Sequence, residues 1–490
     1  MLSRVRYASL LLLSASLPAI AADRCDQILK KIGKDLADVS CFSSVDLTTT
    51  NPMTTPANNS ITTLPAFAFT PQTDRDVIAP SAGKRAPITK AVPGIQIDAR
   101  IASDPTGQAR FLLRLPDDWN GRLVVAGASG TRSEFNGDFV WSDYVVQKGY
   151  AYASQNKGVL NLQFTTAADP LGCRLNPSSP LFVRFYDNEP GQPFTRWAEY
   201  MLTAGQLAQD GVKAAYGNPA RFTYAVGTSN GGYQVRRALE SDKHVFDGGV
   251  DWEGTFVDEH APNLLTDLPA AVLNFLDYKT SDFSASSTAA KNIQAAGYPP
   301  DIVAGTPGAR TSLWLTNSNS FWEVTACQWQ KRLDPGYDTY VSGVGNYNYM
   351  QRLSFSNVGG NMASFATTGE IQAPLVTVAG TMDALLPIDH HARAYARKVE
   401  ATLDALPGNV NHQPAYRLYE VQNGNHVDTN PDLFPSLELI TPHAQRAFDS
   451  MVKYVEDKVA LPPSQCIPRG GSLAASPAQP GHCASQFVGP

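Results

Sequence analysis

"FTYAVGTSNGGYQVRRALE", residues 222–240, runs an apolar stretch into a glycine-rich knot and then into a helix-like pattern. FTYAVG (222–227) reads as a strand and YQVRRALE (233–240) as a helix. Between them, Gly227-Thr228-Ser229-Asn230-Gly231 fits G-x-S-x-G. The pattern is short, and an ordinary glycine-rich turn could carry it. Its setting, directly after an apolar strand and before a helix, is what a nucleophile elbow requires. Such a turn holds the serine on a strained backbone with its hydroxyl lifted off the sheet. The N–H groups of the following helix then favour developing negative charge at the site. Ser229 is therefore the candidate nucleophile.

A serine needs a base, and the base needs an orienting acid. After an elbow the order is serine, acid, histidine. VTVAGTMDALLP (376–387) supplies Asp383 just past an apolar strand, and YEVQNGNHVD (419–428) supplies His426 in a loop past the next one. Asp389 and Asp428 are rival acids, and Asp428 could instead steady the loop around His426. His412, His443 and His482 are rival bases. His390 and His391 follow Asp383 too closely to serve it. An oxyanion hole needs two backbone N–H groups. Asn230, next after the serine, is one candidate donor. The other is Gly127 or Ala128 in the glycine-rich loop of VVAGASGTR (124–132). Loss of one such donor raises a barrier by roughly 3–4 kcal/mol.

Working outward, RFLLRLP (110–116), RLVVAGA (122–128), YAYASQN (150–156) and FDGGVDWEG (246–254) read as further strands. Trp197, Met201, Ala204, Leu207, Ala208, Val212 and Ala215 keep a helical period that Gly217 and Pro219 stop. Strands alternating with helices predict an α/β fold: a mostly parallel sheet with helices on both faces. The rhythm breaks over 255–360, which hold many aromatics, among them Phe275, Tyr278, Trp314, Trp322 and Trp329. That stretch reads as an inserted cap or lid, whose aromatics either line a site or simply form its own core. The rhythm returns with a strand in 373–387, a helix over 388–403, a strand and loop over 415–428, and a helix over 441–459. The expected organisation is an N-terminal extended segment (22–95), a core (96–254 and 361–460), the cap (255–360) and a C-terminal tail (461–490).

The chain has 490 residues, 43% of them hydrophobic, and a formal net charge of −6. No basic field for nucleic acid follows from that balance. A short basic start, MLSRVR, precedes the apolar run YASLLLLSASLPAI and a small-x-small site at Ala19-Ile20-Ala21. This is the form of a signal peptide, residues 1–21, with export to the periplasm or medium and no membrane attachment after cleavage. Six cysteines in an exported chain suggest disulfides. Proximity pairs Cys25 with Cys41, Cys173 with Cys327, and Cys466 with Cys483. There is no CxxC pair, and neither a metal nor an organic cofactor is expected.

Taken together, GTSNGGYQVRRALESDKHVFDGGVDWEG (227–254), GTMDALLP (380–387) and VQNGNHVD (421–428) resemble an α/β-hydrolase of the tannase and feruloyl esterase type, and the related 3-hydroxybutyrate oligomer hydrolases. The resemblance covers most of 96–460. It implies an α/β-hydrolase fold and an exported carboxylic-ester hydrolase, with Ser229 as nucleophile, Asp383 as acid and His426 as base. Its partner would be a small or oligomeric ester. Tannase-type enzymes carry a disulfide between cysteines beside the nucleophile and beside the histidine. Thr228 and Asn425 stand there in this chain. Loop packing must then hold His426, and weight moves toward the oligomer-hydrolase side. An Asp-rich lid loop of the kind that binds calcium in some members is missing from the sequence.

Overall fold

The computed structural model describes residues 16–54, 87–130, 133–159, 162–164, 171–173, 181–183, 194, 196–405, 414–429 and 431–489. Its main sheet has ten strands: β1 (Leu36–Ser44), β2 (Gly94–Ile101), β3 (Arg110–Pro116), β4 (Arg122–Gly127), β5 (Ala151–Gln155), β8 (Phe222–Thr228), β9 (Gly248–Trp252), β12 (Leu375–Gly380), β13 (Tyr416–Val421) and β14 (Gln465–Ile467). Two small hairpins lie apart, β6 (Leu162–Phe164) with β7 (Leu181–Val183) and β10 (Val303–Thr306) with β11 (Ala309–Ser312). Across the sheet the order is β1-β2-β3-β5-β4-β8-β9-β12-β13-β14. The pairs from β5 to β14 are parallel, and those from β1 to β5 are antiparallel. This is the α/β-hydrolase fold that the sequence implies.

Strand alternation explains why the middle of the sheet reads as continuous apolar runs. Phe111, Leu113 and Leu115 of β3 join one core cluster, while Leu112 joins the other. In β4, Leu123 and Val125 face the first cluster, and Val124 and Ala126 the second. Successive side chains point to opposite faces, and helices cover both. On the first face lie α1 (Ser16–Ile32), α2 (Arg196–Tyr216), α3 (Asn230–Leu239) and α7 (Ala392–Ala405), contributing Ile28, Met201, Ala204, Val235 and Val399 among others. The other face takes α8 (Thr441–Asp457) through Phe448 and Met451, with Trp141 and Val145 beside them.

Between β9 and β12 the chain builds a helical layer from α4 (Leu264–Thr280), α5 (Thr288–Ala295), α6 (Glu323–Leu333) and shorter turns. Asn263 starts α4 with a capping box, its side chain accepting from Leu265 N–H at 2.9 Å. Phe275, Tyr278, Trp314, Trp322 and Trp329 are buried together in a third cluster. Most of the aromatics of 255–360 are thus the packing core of this layer; Tyr340 remains largely exposed. The layer is tied to the sheet side by Trp322 Nε1, which donates to the carbonyl of Ala384 at 2.9 Å.

The N-terminal part departs from expectation. Within 22–95, an extended segment on sequence grounds, the described residues form the rest of α1, the edge strand β1 and the start of β2. β1, LADVSCFSS, is buried only at its two ends and is half-exposed or exposed between them, so no buried face marks it as a core strand in the sequence. Its serines and a register shift between Ala37 and Ser40 suit an edge strand, where unpaired backbone must stay soluble. Cys25 is bonded to Cys41, Cys173 to Cys327 and Cys466 to Cys483, so the first pair fastens α1 to β1 and the third fastens β14 to the tail. Residues 1–15 of the proposed signal peptide and 55–86 of the N-terminal segment lie outside the described residues.

Beneath the elbow sits a fully buried ion pair. Arg236 of α3 meets Asp251 of β9, Nε to Oδ2 at 2.5 Å, with neither side chain exposed. Asp251 also accepts from Thr377 Oγ1 on β12 at 2.9 Å and from Gly254 N–H at 2.6 Å, while the guanidinium lies over the Tyr395 ring of α7. One carboxylate therefore joins a helix, two strands and the turn after β9. Asp251→Ala strands the guanidinium in a dry interior and is expected to cost about 3–5 kcal/mol in denaturant unfolding. A loss below about 1 kcal/mol, the scale of an exposed pair, would show the pair to be dispensable.

Candidate active site

β8 ends at Thr228, and α3 begins at Asn230, leaving Ser229 alone at the corner. Its backbone sits at φ 59°, ψ −123°, a conformation costly for a residue with a Cβ. Two hydrogen bonds hold it there: Ser229 N–H donates to the Trp252 carbonyl at 2.8 Å, and Tyr233 N–H donates to the Ser229 carbonyl at 3.0 Å. The glycines of the knot permit close backbone approach. A Cβ on Gly227 would lie 2.3 Å from the Gly231 carbonyl oxygen, and one on Gly231 would lie 2.4 Å from that of Gly127.

Asp383 follows β12, and His426 follows β13, so both stand with Ser229 at the carboxyl ends of parallel strands. Such strand ends are where open α/β sheets gather their chemistry. Asp383 Oδ1 accepts from Leu385 and Leu386 N–H, each at 2.7 Å, and Oδ2 lies 2.7 Å from His426 Nδ1. Burial pushes the Asp383 carboxyl upward. The charge of His426 and hydrogen bonds from Glu253, His426 and Leu386 outweigh that and leave it below its ordinary range. All three side chains are buried, with Ser229 and His426 each keeping 7% of their surface.

Trp252 connects the two halves of the site. Its carbonyl takes the Ser229 N–H, and its indole Nε1 donates to the His426 carbonyl at 3.1 Å. The loop bearing His426 is clasped further by the acid loop and the tail. Met382 N–H donates to the Gly424 carbonyl at 2.7 Å, and Asn423 N–H donates to Thr381 Oγ1 at 3.0 Å. Thr381 Oγ1 in turn donates to the Gln486 carbonyl. Asn423 exchanges two side-chain hydrogen bonds with the Val488 backbone, both at 2.8 Å. The tail thus supplies a non-covalent tie in a chain that has Thr228 and Asn425 where a disulfide could stand.

The candidate oxyanion segments are also pinned. Gln234 Nε2 donates to the carbonyls of Ala128 at 2.8 Å and Asn230 at 3.0 Å, gripping both segments from α3. Gln155 Nε2 donates to Gln234 Oε1, and the buried Lys157 Nζ donates to the Ser129 carbonyl at 2.7 Å. The Asn230 side chain turns aside to accept from Thr255 Oγ1 at 2.8 Å. Gly127, packed on Gly231, brings its loop against the elbow.

The rivals are engaged elsewhere. Asp389 pairs with Arg393, and Asp428 accepts from Ile440 and Thr441 N–H at the start of α8. His390 and His391 face Asp267; His443 faces Glu438, and His482 faces Glu420. His412 lies outside the described residues. Sequence reasoning missed Trp252 and Glu253, although FDGGVDWEG has the same strand-then-glycine form that picked out Ser229 and Asp383. Glu253, at φ 50°, brings Oε2 to 3.1 Å from His426 Nδ1. Glu253, Asp383 and His426 offer ligand-capable atoms within 4.8 Å of one another. The 2.7 Å contact between Nδ1 and Oδ2 is a hydrogen-bond length, too short to admit an ion between them.

Comparison with known proteins agrees with this architecture. The family model described as 3HB-oligomer hydrolase matches residues 344–484, which include Asp383 and His426. A D-(-)-3-hydroxybutyrate oligomer hydrolase of Ralstonia nicotianae is 34% identical over 137 residues, 24% of this chain and 18% of that protein. Its counterpart in Burkholderia thailandensis is 31% identical over 128 residues, 25% of this chain and 17% of that protein. The matched stretch thus spans less than a fifth of the curated relatives' length. Among solved structures, feruloyl esterase B from Aspergillus oryzae aligns with a TM-score of 0.50 at 13% identity, covering 87% of this chain and 88% of that one. A second esterase from Aspergillus oryzae aligns with a TM-score of 0.50 at 14% identity, covering 91% of each. At that identity the likeness is one of fold.

Gly231→Ala tests the elbow directly. A methyl group driven against the Gly127 carbonyl is expected to cost about 1–3 kcal/mol in thermal or denaturant unfolding. An unchanged stability would mean that the loop at 127 yields freely.

Proposed function

We propose that the protein is an exported serine carboxylic-ester hydrolase that acts on 3-hydroxybutyrate-type oligomers. The observation that carries this reading is the 2.7 Å contact of His426 Nδ1 with Asp383 at the strand ends that also hold the Ser229 elbow. In the proposed reaction His426 Nε2 takes the Ser229 proton as Oγ attacks the ester carbonyl. Asp383 keeps the imidazole in the right tautomer and stabilises its cation. The N–H of Asn230 and one from Gly127 or Ala128 receive the oxyanion. The alcohol leaves with the proton from His426, and water then repeats the sequence on the acyl-enzyme.

The substrate class rests on the oligomer-hydrolase match over 344–484 and on Thr228 and Asn425, which replace the cysteine pair of tannase-type enzymes. Aromatic esters of the feruloyl or galloyl type are the competing class. Export is supported by the signal-like start and by three disulfides, which persist in oxidising compartments. Among the described residues no helix is long and apolar enough to cross a membrane.

Initial rates on p-nitrophenyl acetate and butyrate, methyl ferulate, methyl gallate and 3-hydroxybutyrate trimer test the proposal, with Ser229→Ala as control. The trimer is expected to give the highest kcat/KM, and the variant to lose about 10⁴-fold or more in kcat. Preference for ferulate or gallate would move the assignment to the aromatic-ester class. Activity retained by the folded Ser229→Ala variant would remove the serine from the mechanism.

A further inference from the structure

Two carboxyl groups, not one, face the ring nitrogen of His426. Asp383 comes from the loop after β12, and Glu253 from the turn after β9, with Oδ2 at 2.7 Å and Oε2 at 3.1 Å from Nδ1. β9 and β12 are adjacent and parallel, and Glu253 N–H continues their ladder by donating to the Val378 carbonyl at 2.9 Å. The second carboxyl is therefore placed by sheet register rather than by a mobile side chain. Its Oε1 accepts from Gly380 N–H. Its Oε2 is buried and receives no hydrogen bond from the described residues, and a hydrogen on Nδ1 has the nearer Asp383 Oδ2 to take it.

An anionic oxygen in that position would be a buried acceptor with no donor, next to a second anion. Both features are costly. A proton on Oε2 removes both, since it turns the orphaned acceptor into a donor that hydrogen-bonds the Asp383 carboxylate. Other titratable groups around Glu253 do not reverse this. His426 comes from the β13 loop, and Asp428, farther along that loop, adds negative charge. Burial first, then the charge of Asp383, hold the Glu253 carboxyl well above its ordinary range.

We infer that Glu253 is protonated in the resting protein and is a positioning residue: it donates to Asp383, so that His426 meets one anion, with a second carboxyl held in reserve beside it. The catalytic meaning of this inference rests on the hydrolase reading above; the protonation state does not. If the Asp383 charge is removed, Glu253 can release its proton to solvent and accept the Nδ1 hydrogen itself.

The test joins infrared spectroscopy to kinetics on the full-length oxidised protein. The wild-type-minus-Glu253→Gln difference spectrum at pH 7 is expected to contain the C=O stretch of a protonated carboxylic acid. Its absence would overturn the inference whether or not the protein cleaves esters. On p-nitrophenyl acetate, Glu253→Gln is expected to keep the acid limb of kcat/KM within about 0.3 pH unit, because one neutral group replaces another. A downward move of about one unit would mean that an anion was lost, and would overturn it. Asp383→Asn is expected to lose only about 10–100-fold in kcat, with Asp383→Asn/Glu253→Gln falling to the roughly 10⁴-fold loss of an unsupported imidazole. A single variant already at that level, with no further fall in the double variant, would show that Glu253 holds nothing in reserve.

Discussion

The arrangement depends on one steric constraint: three backbone segments meet at the elbow with no side chain between them. Gly227, Gly231 and Gly127 lie so close that a single methyl group on any of them would strike a neighbouring main chain. Because β4 and β8 are adjacent and parallel, this contact brings the loop after β4 to the first turn of α3. Ser229 takes its strained conformation there, and the strain is balanced by hydrogen bonds to Trp252 and Tyr233 rather than relieved. The glycines are a packing requirement, and the serine's exposure to the site is its result.

Around that contact the polar groups are shared between elements. Asp251 links α3, β9 and β12. Gln234 links α3 to the loop after β4, and Trp252 links the elbow to the His426 loop. Each is buried and partnered across the sheet, which is how a low-dielectric interior turns polar side chains into specific geometry. The aromatic layer above contributes through Trp322, whose indole holds the acid loop at Ala384.

Much of this was legible in the sequence, for identifiable reasons. The central strands are buried on both faces, so FTYAVG and RFLLRLP stand out as apolar runs, and the elbow, acid and histidine each follow such a run. β1 and β14 were not legible. One is a serine-rich edge strand and the other has three residues, so neither produces a usable period. Glu253 was hidden for a different reason. It touches His426 only because β9 and β12 are neighbours, and strand order is a tertiary fact that spacing along the chain does not carry. The tail's part was hidden likewise, since Pro/Gly/Ser-rich composition says nothing about which loops it crosses.

The clasp formed by residues 486–488 also bears on the order of events during biosynthesis. A chain emerges in sequence, so the elbow, the acid loop and the histidine loop all leave the ribosome before the segment that fastens the last two together through Thr381 and Asn423. The Cys466–Cys483 bond, which anchors that segment, also needs an oxidant. The acid and histidine loops already meet directly through Met382–Gly424 and Asn423–Thr381, so the late-emerging tail adds to a contact that exists without it, completing the clasp at Thr381 and Asn423.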